Sequence, residues 1–251
     1  MVRQRIGENG LSLAAFALFL ASFVGQAISG WYVANDEAHA HGASALSFGA
    51  YLKSGAFMES VFENWESEFL QMAVFVVLTK FLKQKGSSES KVLEGEEDVD
   101  EDPQKKKDDP DAPWPVRRGG IVLALYQRSL FIALLALFAL SFVLHGVGGV
   151  RQHNEEALRH DEATVSFVAY LATSKFWFES FQNWQSEFLS VAALVLLSIV
   201  LRERGSPQSK PVAAPHAHTA ARSEDGNKKR RDSCLPRSRG AGARAGQRDA
   251  R

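Results

Sequence analysis

The sequence predicts an all-α integral membrane protein with four transmembrane helices, arranged as two parallel repeats of two helices each. Two long uncharged stretches are the first observation: residues 11–35 and 129–150 contain no Asp, Glu, Lys or Arg, and are rich in Leu, Ala, Phe and Val. At about 1.5 Å of helix per residue, each can cross a hydrocarbon core of about 30 Å. The charges, 29 basic and 29 acidic, are concentrated elsewhere.

An internal repeat is the second observation. When the chain is aligned with itself at an offset of 119 residues, roughly a third of positions 10 to 91 are identical, without gaps. The phrase NWESEFL at 64–70 becomes NWQSEFL at 183–189, and Asn35 meets Asn154. Each repeat therefore contributes the same two helices, and an even number of crossings gives both repeats the same orientation in the membrane.

The second helix of each repeat is the least obvious element. The apolar residues 69–82 make only about 21 Å of helix, which is too short for a bilayer core of about 30 Å. We therefore expect this helix to begin at Phe62, and its counterpart to begin at Phe181. That extension places Trp65 and Trp184 at the membrane interface, where Trp is enriched. A re-entrant or interfacial helix is the alternative.

The predicted organisation has four parts. Residues 1–91 form the first membrane repeat, with helices at about 10–31 and 62–83, and residues 92–120 form a disordered, charged cytoplasmic linker. Residues 121–206 form the second repeat, with helices at about 129–150 and 181–202, and residues 207–251 form a disordered basic tail. Disorder is expected where a charged, Pro- and Gly-rich composition cannot bury enough apolar surface.

The distribution of Lys and Arg predicts the orientation. The segment between the repeats is rich in both, whereas Lys53 is the only basic residue in the loop after the first helix. Basic residues favour the cytoplasmic side of a membrane protein. We therefore expect both termini and the linker to be cytoplasmic, in a multi-pass protein of the bacterial inner (plasma) membrane.

Polar residues on the four helices predict one candidate cluster. Asn64 and Glu68 lie four residues apart and share a helical face, a pairing that recurs in the second repeat. Polar groups that faced lipid would be unsatisfied, so we expect these faces to point inward, near one depth. The candidate cluster is Gln26, Asn64, Glu68, His145, Asn183 and Glu187.

Two interpretations of this cluster stay open. It could take up a proton or a cation, since carboxylates and an imidazole would share a medium of low dielectric constant. Alternatively, its members could satisfy one another and the free amides of helix N-termini, and so fix the packing. Because Glu66 is replaced by Gln185 in the second repeat, we expect no role for it that requires charge in both halves.

Catalytic and metal-binding motifs are sparse. Cys234 is the only cysteine, which excludes an intrachain disulfide and a thiolate zinc cluster. His216 and His218 are too few to predict a metal site, and no nucleophile elbow, phosphate loop or HExxH motif is present. We therefore expect no catalytic residues, no cofactor, no metal and no nucleic-acid partner. The expected partners are the lipid bilayer and a second copy or another membrane protein.

The duplicated NWxSEFL phrase, with its paired helices, resembles an uncharacterised family of small bacterial membrane proteins, a domain of unknown function, over roughly residues 5–205. The resemblance implies no activity, substrate or site residues. The expected function is a structural or interaction role in the bacterial inner membrane. The alternative is a small transporter, or a protein that responds to protons or cations through the Glu, Asn and His cluster.

Overall fold

The computed structural model describes residues 7–220, and all of the regular secondary structure in that range is helical. The predicted all-α class is therefore confirmed for this part of the chain. In chain order the helices are α1 (Gly10–Ala40), α2 (Phe48–Tyr51), α3 (Gly55–Phe81), α4 (Trp114–Arg118), α5 (Gly120–Tyr126), α6 (Ser129–Arg159), α7 (Phe167–Leu171) and α8 (Ser174–Val200).

Three of the described helices, α1, α6 and α8, are long and apolar enough to cross a membrane. Four transmembrane helices were expected, so the number of described helices that qualify by length and composition is corrected to three. Helix α3 has 27 residues and is long enough, but it carries four glutamates and a lysine. Those charges interrupt its apolar sequence. They are the residues Glu59, Glu63, Glu66, Glu68 and Lys80.

The long helices extend beyond their expected bounds on one side. Helices α1 and α6 continue to Ala40 and Arg159, and α3 and α8 begin at Gly55 and Ser174. An asparagine closes each helical connection: Asn35 Oδ1 accepts a hydrogen bond from the Leu46 amide at 2.6 Å, and its Nδ2 donates to the Leu46 carbonyl at 3.2 Å. Asn154 makes the same two bonds with Val165. These bonds satisfy backbone groups that the turn would otherwise leave unpaired.

The two tryptophans expected at the membrane interface, Trp65 and Trp184, pack between helices. The ring of Trp65 on α3 lies 6.0 Å from that of Phe19 on α1, and the ring of Trp184 on α8 lies 6.4 Å from that of Phe138 on α6. Such aromatic contacts contribute beyond the apolar area that they bury. They hold α1 against α3 and α6 against α8.

Glycine allows α3 and α6 to approach closely. A Cβ atom on Gly148 of α6 would lie 2.4 Å from the backbone nitrogen of Glu59, and one on Gly55 of α3 would lie 2.5 Å from the backbone nitrogen of Gln152. No side chain fits at either position without movement of backbone. The close contact brings the glutamates of α3 next to α6.

The chain divides into two compact units. Among the described residues, one unit joins those up to Leu78 with Asp102–Val191, and it contains the glutamates of α3. The other joins Thr79–Glu101 with the described residues from Ala192 to Ala220. In this second unit the Lys210 ammonium is buried and donates to four backbone carbonyls. The acceptors are those of Gly86, Ile199, His216 and His218.

The linker and tail contain more local structure than their composition suggests. The linker, 92–120, includes two 3-10 segments, Asp98–Asp100 and Pro103–Lys106, as well as α4. The tail has turns up to residue 220. Within it, the buried side chain of Lys210 anchors the backbone. The disorder expected for the rest of the tail concerns residues that lie outside the described range.

We expect Gly148→Ala to lower the free energy of unfolding by about 1–3 kcal/mol, because its methyl group would overlap the backbone of α3. Thermal unfolding in mild detergent, followed by tryptophan fluorescence, measures this change. Gly25→Ala on α1 is the matched control, since its Cβ meets no atom within 4 Å. Equal losses of stability in the two variants would contradict the close contact.

Candidate functional site

A buried histidine and a buried glutamate form the centre of the site. His145 on α6 and Glu66 on α3 both have fully buried side chains, and His145 Nδ1 lies 2.7 Å from Glu66 Oε2. The second carboxylate oxygen, Glu66 Oε1, accepts a hydrogen bond from Trp184 Nε1 on α8 at 2.9 Å. Glu66 therefore connects three long helices, with both of its oxygens engaged.

The other ring nitrogen of His145 faces a second carboxylate. His145 Nε2 is buried, has no hydrogen-bond partner and lies 3.5 Å from Glu179 Oε2 on α8. The imidazole stacks on the Phe176 ring, with their centroids 4.8 Å apart. Packing thus fixes the ring so that Nε2 points at Glu179.

Glu59 completes this side of the site. Glu59, His145 and Glu179 each offer one atom that could bind a metal ion, and these three atoms lie within 4.8 Å of one another. The Tyr170 hydroxyl on α7 donates a hydrogen bond to Glu59 Oε1 at 3.0 Å. Burial, and then the charges of Glu59 and Glu179, raise the pKa of Tyr170, so its hydroxyl remains a donor.

Lys175 and Glu63 lie at the edge of the cluster. Lys175 Nζ is 3.6 Å from Glu59 Oε1 and 3.8 Å from Glu179 Oε1, and its side chain is 42% exposed. Glu63 lies one helical turn from Glu59 and interacts electrostatically with His145, Glu59 and Glu179. The side chain of Asn183 lies close to it.

The cluster holds more potential negative charge than positive charge. Four carboxylates, those of Glu59, Glu63, Glu66 and Glu179, surround two groups that can be cationic, Lys175 and His145. Uncompensated charge is costly in a buried site and more so within a membrane. The arrangement therefore favours the uptake of protons or of a metal cation.

The structure brings some of the predicted site residues into this cluster and leaves others outside it. His145 is central, and Asn183 contacts Glu63 and donates to the Glu179 carbonyl at 3.1 Å. The remaining residues lie elsewhere. Gln26 Nε2 donates to Ser60 at 3.3 Å, Asn64 Nδ2 donates to the carbonyl of the same serine at 2.8 Å, Glu68 is exposed, and Glu187 is partly buried within electrostatic range of Glu68.

The glutamates that do meet His145 were absent from the predicted set. Glu59, Glu63 and Glu66 are spaced by four and then three residues, so they share one face of α3. This regular spacing in the sequence indicates a shared acidic face on α3. We expected no role for Glu66 that requires charge in both halves, and its carboxylate does have its counterpart in the neutral Gln185.

We expect Glu66→Gln to lower the free energy of unfolding by about 1–3 kcal/mol, because the amide cannot accept both buried hydrogen bonds. Thermal unfolding in detergent measures the loss. Glu68→Gln removes an exposed carboxylate from the same helix and should change stability by less than about 0.5 kcal/mol. Similar values for the two variants would contradict the buried pair.

Comparison with known proteins identifies a family but no activity. No curated protein and no solved structure matches the chain. The family described as Domain of unknown function (DUF6766) matches residues 2–221 of the 251. The match confirms the resemblance to an uncharacterised family and includes every residue of the cluster around His145. The chain therefore belongs to the DUF6766 family, a domain of unknown function.

Proposed function

We propose that this chain is an integral membrane protein that binds a cation in the cluster around His145, with protons as the simplest case. The observation that carries the proposal is the excess of carboxylates: four meet one imidazole and one ammonium, and His145 and Glu66 are fully buried. Ionisable groups inside membrane proteins commonly mark ion or proton pathways because they are costly to keep there.

The helix bounds support the proposed internal repeat. Helices α1 and α6 both have 31 residues, α3 and α8 both have 27, and the members of each pair begin 119 residues apart. Gly30 and Gly149 each lie against the hydroxyl of a tyrosine, Tyr51 and Tyr170 respectively. We interpret this agreement as two copies of one helical hairpin.

The two proposed copies differ at every charged position of the cluster. In the other half, Gln26 replaces His145 and Ser60 replaces Glu179, and Gln26 Nε2 donates a hydrogen bond to Ser60 Oγ at 3.4 Å. A hairpin of this type thus packs without the charges. The other replacements are Phe178 for Glu59, Gln182 for Glu63, Gln185 for Glu66 and Ala56 for Lys175.

We propose that α3 accompanies the three apolar helices in the membrane, with its carboxylates enclosed. Glu59 and Glu66 are buried against α6, α7 and α8, so they do not face lipid. With the Lys- and Arg-rich linker on the cytoplasmic side, both termini are cytoplasmic and the location is the bacterial inner membrane.

A structural role is the second candidate, and Glu66 supports it. Both of its oxygens are engaged, by His145 on α6 and by Trp184 on α8, so this residue alone could join the halves. Such a role does not explain why Glu59 and Glu179 are added beside it. Those two carboxylates therefore distinguish cation binding from packing.

We expect the metal-free protein, reconstituted in lipid, to contain a protonated carboxyl group in this cluster, because the excess carboxylates need compensation. Infrared spectroscopy detects its carbonyl band. The band should disappear in the double variant Glu59→Gln with Glu179→Gln.

The matched control is Glu68→Gln with Glu187→Gln, which removes two carboxylates from the same helices outside the cluster. This control should retain the band. A wild-type spectrum without such a band, or one that the first double variant leaves unchanged, would rule out proton uptake at this site and favour the structural candidate.

A further inference from the structure

We propose that Glu59, His145 and Glu179 form a binding site for one divalent first-row transition-metal ion, with His145 Nε2 and one oxygen from each carboxylate as ligands. The proposal rests on the function proposed above, and it identifies a metal ion as a cation that the site binds in addition to protons. It requires three side chains from three different helices, α3, α6 and α8, to converge on one point.

The distances suit a metal ion. Atoms bound at about 2.0–2.2 Å to the same ion lie at most about 4.4 Å apart. The three candidate ligand atoms lie within 4.8 Å of one another, so small side-chain movements bring them onto one ion. Two of the residues, Glu59 and His145, are buried, so competing solvent is largely excluded.

The imidazole is oriented for binding. With a proton on Nδ1 donated to Glu66, the lone pair of neutral His145 lies on Nε2 and points at Glu179 Oε2, 3.5 Å away. Two lone pairs that face each other repel unless a proton or a metal ion lies between them. Nε2 is the buried, unpartnered atom that such an ion would satisfy.

Neighbouring side chains hold the ligands in place. Metal-binding histidines commonly donate their other N–H to a carboxylate, which fixes the ring and strengthens the ligand. Glu66 is placed to do this, and Trp184 holds it through the second oxygen. The Tyr170 hydroxyl donates to Glu59 Oε1 at 3.0 Å and lies 3.5 Å from Glu179 Oε2, so it contacts both carboxylates.

The donor set indicates the class of metal. One imidazole nitrogen with two carboxylate oxygens suits Zn²⁺, Mn²⁺ or Fe²⁺. Calcium and magnesium prefer oxygen ligands alone, and monovalent copper prefers sulfur. A divalent ion would also offset the excess negative charge of the cluster.

The ammonium group of Lys175 competes with a metal ion for the two carboxylates. Its ammonium lies between the same two carboxylates, at 3.6 Å from Glu59 and 3.8 Å from Glu179. Because the side chain is partly exposed, it can move into solvent when a metal ion binds. Lys175 therefore acts as a tethered competitor that lowers the affinity of the site.

Metal binding to the full-length protein, stripped with chelator in mild detergent, tests the proposal. We expect isothermal titration with Zn²⁺ to show one binding site per chain, and we expect that site to be lost in His145→Gln and in Glu179→Ser. Gln and Ser are chosen because they stand at the corresponding positions of the other half. Glu66→Gln should weaken Zn²⁺ binding about 10- to 100-fold with the ligands unchanged. Lys175→Met should tighten it, and Glu68→Gln should have no effect.

Co²⁺ absorption identifies the donors independently of the heat of binding. A ligand-field spectrum that is present in the wild type and in Glu68→Gln, and absent in His145→Gln, supports the site. Zn²⁺ binding that persists unchanged in His145→Gln overturns it, since exposed histidines such as His39 and His41 would then be the ligands.

Thermal unfolding confirms that each variant is folded. If the infrared test succeeds and Zn²⁺ does not bind, the metal site fails and proton uptake stands. If neither is observed, both proposals fail.

Discussion

The contact between Glu66 and His145 is the interaction on which the rest of this structure depends. Both side chains are fully buried, and the two atoms lie 2.7 Å apart. A buried charge that loses its partner is strongly destabilising, so the two residues hold α3 and α6 in one register. Gly148 makes that register possible, because it lets the backbone at Glu59 approach α6 within the reach of a carboxylate. Packing and electrostatics are thus coupled at one helix crossing.

Under the proposed repeat, the two halves share residues that pack their helices and differ in the charged residues of the cluster. Their shared residues, such as Asn35 with Asn154 and Trp65 with Trp184, close turns and fill the spaces between helices. All of the charged residues of the cluster around His145 differ from the residues at the corresponding positions, and they converge on a single site that draws on both halves. Under the proposed repeat, a helical hairpin was duplicated and kept its packing. The site formed between the two copies then gained carboxylates and an imidazole. Under the same proposal, Gln26 and Ser60 occupy the positions of His145 and Glu179, and they form a neutral hydrogen-bonded pair.

The helical class and the starts of α1 and α6 could be predicted, because long uncharged runs leave a chain few alternatives to a helix. The site could not be predicted to the same degree. On α3, the face of Asn64 and Glu68 and the face of Glu59, Glu63 and Glu66 both have regular helical spacing. Spacing alone does not indicate which face turns inward. That choice depends on the crossing of α3 with α6, which is a tertiary feature. The charges on both faces of α3, together with Lys80, explain why α3 is not counted among the helices apolar enough to cross a membrane.

Nitrogen-15 NMR of the imidazole at position 145, with the protein in lipid nanodiscs, tests the buried pair most directly. His145→Gln assigns the resonances among the seven histidines. The structure predicts a protonated Nδ1 in a strong hydrogen bond to a carboxylate, protected from solvent exchange, and a signal that moves when Glu66 is replaced by glutamine. An imidazole that exchanges freely between its tautomers, with signals insensitive to residue 66, would contradict the buried Glu66 and His145 contact and the site built on it.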